Sequence, residues 1–184
     1  PGPQRQLTFP PDAGGFAAFG GPEGSLWLTA FVLSTFSGAR EVRDIDESVL
    51  EKAASMLVSR QNNDGSFQLD DFLIHTEMAG GVANEYAMAA YVTKALADYG
   101  GGEVADALVL AAGFLEQSSR LSGVADNPYP LSIAAGALFK IPGYEATAEV
   151  MVDRLLKLAI DEGPGIHWEP FPVETTGYAA IALL

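Results

Sequence analysis

Stretches that read as helix and are apolar on nearly every side alternate along this chain with stretches that carry one apolar stripe. Ser25 is a good N-cap for a first helix to about Phe36, and Trp27, Ala30, Phe31, Leu33 and Ser34 leave it no broad polar face. The next helix, capped by Asp44 or Asp46 and running to about Arg60, gathers Val49, Leu50, Ala53, Met56 and Leu57 on one side. Glu47, Glu51, Lys52 and Arg60 fall mostly off that stripe. The alternation continues with Asn84 to Tyr99 apolar, ended by Gly100-Gly101-Gly102, and Glu103 to Gln117 striped. A helix opened by Pro128 or Pro130 and closed by Pro142-Gly143 is apolar, and Tyr144 to Ile160 is striped. A last apolar helix starts at Val173 or Glu174 and is still running at Leu184.

A helix without a polar face needs neighbours all round it, whereas a striped helix needs them on one side only. The order is therefore inner, outer, inner, outer, inner, outer, inner, which is an internal repeat. Phe16, Phe67 and Trp168 each follow a Gly-containing turn at separations of 51 and 101 residues, about one and two periods of fifty. A pair of helices of this kind cannot bury its faces alone; stacked in a ring or an arc, the apolar helices line the inside wall. The fold class expected is all-α, an α/α toroid or a solenoid, and the strict inner/outer contrast favours the toroid. A closed ring of roughly six pairs needs about 300 residues at this repeat length. The 184 residues supply fewer than four pairs, so the reading expects further helices before Pro1 and a single, incomplete domain over 1–184.

Charge and composition exclude several functions. Ten Lys and Arg against 24 Asp and Glu leave a net charge of −14, which argues against nucleic acid and anionic membranes as partners. No apolar run approaches the roughly 20 residues of a membrane span, so membrane insertion by this segment is not expected. With no cysteine, the chain has no disulfide, no thiolate zinc site and no cysteine nucleophile. Two histidines far apart argue against a histidine-rich metal site, and neither cofactor nor metal is expected.

The stretch that draws chemical attention runs from Gln61 to Gly81 and contains His75. Asn63, Asp64 and Gly65 are turn formers that stop the preceding helix, and Phe67 brings a large ring back against the helix ends. His75 follows Phe72, Leu73 and Ile74. Partial desolvation there would lower its pKa and favour the neutral, nucleophilic imidazole, while Glu77, Asp70 and Asp71 would pull the other way. Glu77 reads equally as a carboxylate that orients the imidazole through its second nitrogen or as a solvated loop charge. His167-Trp168 reads as structural, with Trp168 filling the helix-end position that Phe16 and Phe67 fill elsewhere. The Asp70-Asp71 pair reads as a solvated face.

Seven collinear runs are similar to one family: Phe16-Ala-Ala-Phe-Gly, Ser25-Leu-Trp-Leu-Thr-Ala-Phe-Val-Leu, Ile45-Asp with Val49-Leu, Gln61 with Asp64-Gly-Ser-Phe, Ile74-His-Thr-Glu-Met with Gly80-Gly81, His167-Trp168, and Val173-Glu-Thr-Thr-Gly-Tyr-Ala. Together they resemble the thioester domain of the complement and alpha-macroglobulin superfamily, an α/α toroid, over nearly the whole chain. The absence of cysteine and the Ile-His-Thr-Glu-Met run look closest to the invertebrate thioester-containing proteins. The resemblance implies a piece of that domain without its thioester-motif helices, because the family's Cys-Gly-Glu-Gln motif does not occur here.

It implies a mechanism as well. After proteolytic activation of the parent, a histidine attacks the Cys–Gln thioester to give an acyl-imidazole, and the freed thiolate serves as base for a hydroxyl on a target surface. His75 stands at that histidine's place. The resemblance thus implies an innate-immune protein that is consumed in a single acyl transfer, and so is not an enzyme. Its partners would be the parent's other domains and surface hydroxyls, and the parent would be secreted or lipid-anchored outside the cell. A protease-trapping alpha-macroglobulin, whose thioester takes lysines of the trapped protease, is the alternative. Terpene cyclases and protein prenyltransferases share toroids with similar turns, but they need an acidic initiating motif or a zinc site, and this sequence offers neither.

Overall fold

The computed structural model describes residues 14–16, 24–69, 85–121 and 123–184. They form seven α-helices: α1 (Leu26–Ala39), α2 (Glu47–Ser59), α3 (Glu85–Tyr99), α4 (Ala105–Ser118), α5 (Pro128–Leu138), α6 (Glu145–Lys157) and α7 (Pro172–Leu183). A 3-10 turn, Gly102–Val104, leads into α4. Two short strands, β1 (Ile160–Asp161) and β2 (Ile166–His167), pair antiparallel between α6 and α7. The molecule is all-α in class.

Helix starts follow the capping residues. Ser25 Oγ accepts from the Leu28 N–H at 3.3 Å, Asp46 Oδ1 from the Ser48 N–H and Asn127 Oδ1 from the Tyr129 N–H, each satisfying an amide that has no partner in the first turn. Asp46 is thus the cap of α2, and Pro128 is the first residue of α5. Gly100, at φ +71, ends α3 with its N–H on the Leu96 carbonyl. Asn84, the expected start of α3, lies outside the described residues.

The helices form two layers. α1, α3, α5 and α7 are a row in which each packs against the next; α2 lies on α1 and α3, α4 on α3, and α6 on α5 and α7. Arg40, just past α1, donates to the Tyr99 carbonyl at the end of α3, while Tyr129 and Glu174 meet at the starts of α5 and α7. Neighbouring inner helices therefore run parallel. Inner and outer helices alternate in chain order, as the repeat requires.

Burial separates the inner helices into two kinds. α5 buries every residue but Gly136, and α3 buries Tyr86 to Thr93 without a break. α7 buries only Thr175, Ala179 and Ala182, and Phe31 of α1 is 44 % exposed. The expectation that all four would be more buried than the outer helices holds for α1, α3 and α5, most fully for the last two, and fails for α7, which buries no more than α6. The reason is position: α3 and α5 have an inner neighbour on both sides, whereas α1 and α7 each have one among the described helices.

The other departure is at the end of α6. The helix stops at Lys157, and Ile160, expected to be its last residue, pairs instead with His167. Gly163 at φ +85 turns the chain, its N–H bound to the Asp161 carboxylate, and the Glu162 N–H reaches the Gly165 carbonyl. A β-branched Ile beside such a turn satisfies its backbone better across the hairpin. The hairpin sets up Trp168, 4 % exposed, whose indole N–H donates to the Leu155 carbonyl at 2.6 Å. Phe16 and Phe67 are buried at the corresponding places. The Phe16 and Trp168 amides even choose the same kind of partner, the hydroxyls of Thr29 and Thr176 on the helices that follow.

Gly65 shows how tightly one such turn is fitted. It sits at φ +92, and a Cβ built on it would stand 2.2 Å from the Leu110 carbonyl oxygen in α4. Gly65→Ala should therefore lower the unfolding midpoint of this domain by the equivalent of about 2–3 kcal/mol, since both backbone strain and a backbone clash are introduced. Gly177→Ala in α7, where a Cβ meets nothing within 4 Å, should raise it by about 0.5–1 kcal/mol. Urea unfolding of the two variants, followed by circular dichroism, checks both signs.

Candidate functional site

The segment of interest follows a hydrogen-bonded turn. Arg60 closes α2, Gln61 bridges to Phe67, and the Gln68 N–H returns to the Arg60 carbonyl. Inside the turn, Asp64 Oδ1 accepts from both the amide and the hydroxyl of Ser66, at 3.0 and 2.7 Å. Those two bonds hold the Asp64 carboxyl below its ordinary range. Asn62 donates to the Ser66 hydroxyl, and Gln61 Nε2 reaches across to the Ala107 carbonyl of α4 at 3.0 Å. Phe67, 1 % exposed, anchors the turn in the core. The segment that carries His75 and Glu77 is therefore attached at one end to this turn, through Leu69, and at the other to Glu85 at the start of α3. His75, Glu77, Asp70 and Asp71 themselves lie outside the described residues.

The inner helices begin around a group of aromatic residues. The Tyr129 hydroxyl donates to Glu174 Oε1 at 2.9 Å, and its ring meets Phe171 and Tyr178 edge-on. Phe171 holds a left-handed backbone at φ 59 immediately before α7. Burial first, and then the Glu174 charge, raises the Tyr129 hydroxyl well above the ordinary tyrosine range and pushes Tyr178 up to about 12. These hydroxyls remain protonated donors at neutral pH.

At the opposite end, where α1, α3 and α5 finish, Asp98 collects three donors: Ser34 Oγ at 2.6 Å, Lys94 Nζ at 2.6 Å and Lys140 Nζ at 2.5 Å. Burial pushes this carboxyl up, but the hydrogen bonds from Lys140, Lys94 and Ser34 and the Lys94 charge outweigh it, and Asp98 sits below the usual carboxylate range. Arg40 ties the same region together, donating to the Tyr99 carbonyl at 2.8 Å, pairing with Glu47 at 3.2 Å and lying over the Tyr99 ring. Sequence reasoning did not single out this cluster. The i, i+4 pair Lys94/Asp98 inside an otherwise apolar helix was its one visible sign; nothing local marks Lys140, which is 42 residues from Asp98. Among the described residues no group of His, Asp and Glu could hold a metal ion. His167 stands half-buried in the hairpin, paired with Ile160.

Because its carboxyl is held below the unfolded value, Asp98 contributes stability that is present above the unfolded pKa, near 4, and is lost as pH falls through the folded one. Asp98→Asn should cost about 2–3 kcal/mol at neutral pH, since two lysines lose their counter-charge. It should also flatten the fall in stability below pH 4. Urea midpoints for both proteins between pH 2 and 7 check this, and parallel curves would remove Asp98 from the account.

The scaffold, with its repeated helix-end aromatics, has relatives. A family model described as the A-macroglobulin TED domain matches residues 1–183. Over its whole length the chain is 31% identical, across 187 aligned residues, to thioester-containing protein 1 allele S1 of Anopheles gambiae. It is 30% identical to allele R1 of that protein and 29% identical, across 202 residues, to ovostatin of Gallus gallus. In each case it spans 14% of the relative's length. The chain belongs to the TED-domain family of the A-macroglobulins.

Proposed function

We propose that this chain is part of the toroidal domain of a secreted or lipid-anchored thioester-containing protein of innate immunity. After proteolytic activation, that protein attaches itself covalently to target surfaces by acyl transfer to hydroxyls. The observation that carries the reading is the family match over residues 1–183, with the run Ile74-His75-Thr76-Glu77-Met78 inside it. The similarity to thioester-containing protein 1 supports the same branch.

In this reading the thioester's Cys and Gln come from the parent, outside this sequence. His75 attacks the thioester carbonyl: the new bond is N–C, the bond broken is C–S, and the thiolate departs. The thiolate then takes the proton of an incoming hydroxyl, whose oxygen displaces the imidazole and leaves an ester. Dividing one acyl transfer into two easier steps is nucleophilic catalysis, but the acyl group leaves with the target, so there is no turnover. Glu77 serves as the carboxylate that orients the imidazole. Partners are target-surface hydroxyls and the parent's other domains.

The family also takes its name from the A-macroglobulins, and that favours a second reading: a protease trap whose thioester reacts with lysines of the protease and needs no histidine. The nucleophile separates the two. An amine opens a thioester unaided, whereas a hydroxyl needs both the acyl-imidazole and a thiolate base.

In the full-length parent, His75→Ala should slow ester formation with glycerol by at least about 100-fold while leaving the reaction with methylamine within a few-fold of wild type. Hydroxylamine-sensitive adducts, counted by mass spectrometry, measure it. Equal ester rates in the two proteins would remove His75 from the chemistry and favour the protease trap.

A further inference from the structure

The three outer helices differ on the side they turn away from the inner row. Every residue that α2 exposes is polar, and on α6 the exposed Val150 and Leu156 stand apart among exposed Glu149, Asp153 and Lys157. α4 is different: it has no polar side chain from Ala107 to Leu115. Val109 and Leu110, neighbours within that run, are 54 % and 42 % exposed. A helix that is apolar on its outer as well as its inner side belongs under cover, since adjacent aliphatic groups left in water forgo the free energy of burial.

The uncovered face has defined edges. The 61–67 turn meets α4 along Ala107, Leu110 and Phe114: Gln61 donates to the Ala107 carbonyl, and Gly65 closely approaches the Leu110 carbonyl and the Phe114 Cβ. The start of α6 meets it along Val109 and Glu116, where the Tyr144 hydroxyl donates to the Val109 carbonyl at 3.3 Å and Thr147 Oγ1 to Glu116 Oε1 at 2.9 Å. Residues three, four and seven apart share a side of a helix, so these are two separate lines along α4, and Val109 and Leu110 meet solvent in the strip between them. Gly113 floors that strip. A Cβ built on it would meet only the Tyr144 hydroxyl within 4 Å, at 3.8 Å, so a partner can come close to the α4 backbone.

Charge around the strip has one sign. Asp106 on α4, Asp64 beside Gly65 and Glu145 beside Tyr144 are exposed, and α4 carries no Lys or Arg. A second copy of this chain would bring the same carboxylates to the contact and its own net charge of −14, so self-association through this face is opposed. The wall is helical and its backbone is already hydrogen-bonded, which leaves no edge for an extended peptide. What fits is a folded surface with an apolar centre and a rim of lysine or arginine. The chain spans 14% of the length of its relatives, so a protein built like them carries most of its surface in other domains.

We propose that the strip around Val109 and Leu110 is where another domain of the same parent polypeptide docks, with apolar side chains over these two and basic residues opposite Asp64, Asp106 and Glu145. This rests on the parent of the reading above being a longer chain, and it is independent of that parent's acyl transfer.

Hydroxyl-radical footprinting of the intact, unactivated parent tests it, because α6 supplies references of the same chemistry and similar exposure, Val150 at 52 % and Leu156 at 53 %. Val109 should be oxidised at least about fivefold more slowly than Val150, and Leu110 than Leu156, since the centre of a domain contact excludes water. Leu110→Lys should bring Val109 up to the Val150 rate while the circular dichroism of the parent stays unchanged. Carbodiimide should join Asp106 to a lysine outside residues 1–184, within one polypeptide when isotope-labelled and unlabelled parent are mixed. Equal rates at the paired positions, protection that is lost on dilution, or cross-links only between labelled and unlabelled chains would each overturn the proposal. The His75→Ala parent should give the same footprint. Loss of ester formation with Val109 still protected then counts against the acyl-transfer reading alone, and normal ester formation with Val109 unprotected counts against this surface alone.

Discussion

The enclosure of α3 and α5 is the constraint on which the rest of this structure depends. α3 touches α1, α2, α4 and α5, and α5 touches α3, α6 and α7. A helix so surrounded has no solvent face, and its neighbours come close only where side chains are small. Ala87, Ala89, Ala90 and Ala95 in α3, and Ala134, Ala135 and Ala137 in α5, supply that, and all are at most 1 % exposed. Polar groups survive within such a helix only if they are answered locally. Thr93 donates to the Ala89 carbonyl, and Ser132 to that of Tyr129. Charge in α3 is confined to its exposed first residue, Glu85, and to its C-terminal part, where Lys94 and Asp98 answer each other.

The same constraint explains what could be read in advance. A helix enclosed on all sides must be apolar all round, so the inner/outer order of the described helices was legible in the sequence. The Asn127 cap ahead of Pro128 was not singled out, whereas the cap at Ser25 and the choice of Asp44 or Asp46 for the next helix were legible too. So were Phe67 and Trp168 as helix-end anchors, because a large ring after a glycine turn has few places to go. The hairpin at Ile160–His167 was not, since a two-residue ladder leaves no periodicity and Leu155, Leu156 and Leu158 carry the helical pattern almost up to it. The unequal burial of α1 and α7 was also invisible: composition says that a helix can be buried and is silent about which neighbours reach it. Lys140 joins its cluster through tertiary contact alone. For His75 and Glu77, residue type, the preceding apolar run and the family resemblance supplied the assignment.

Two fixed points bound the segment that joins α2 to α3. The Gln61–Phe67 turn is tied to α4 through the Gln61–Ala107 hydrogen bond and the close approach of Gly65 to Leu110, while α3 is the most enclosed of the longer helices. The segment between them thus departs from and returns to two positions that the core does not allow to shift. Under the proposed acyl transfer, a group that must meet a thioester carbonyl would gain from such fixed attachment, because misplacement by an ångström costs rate steeply. An imidazole inside α3 would be sealed among alanines with no route to an acyl group, and its charged form would be strongly disfavoured. The repeat supplies rigid attachment points at the ends of the described helices instead.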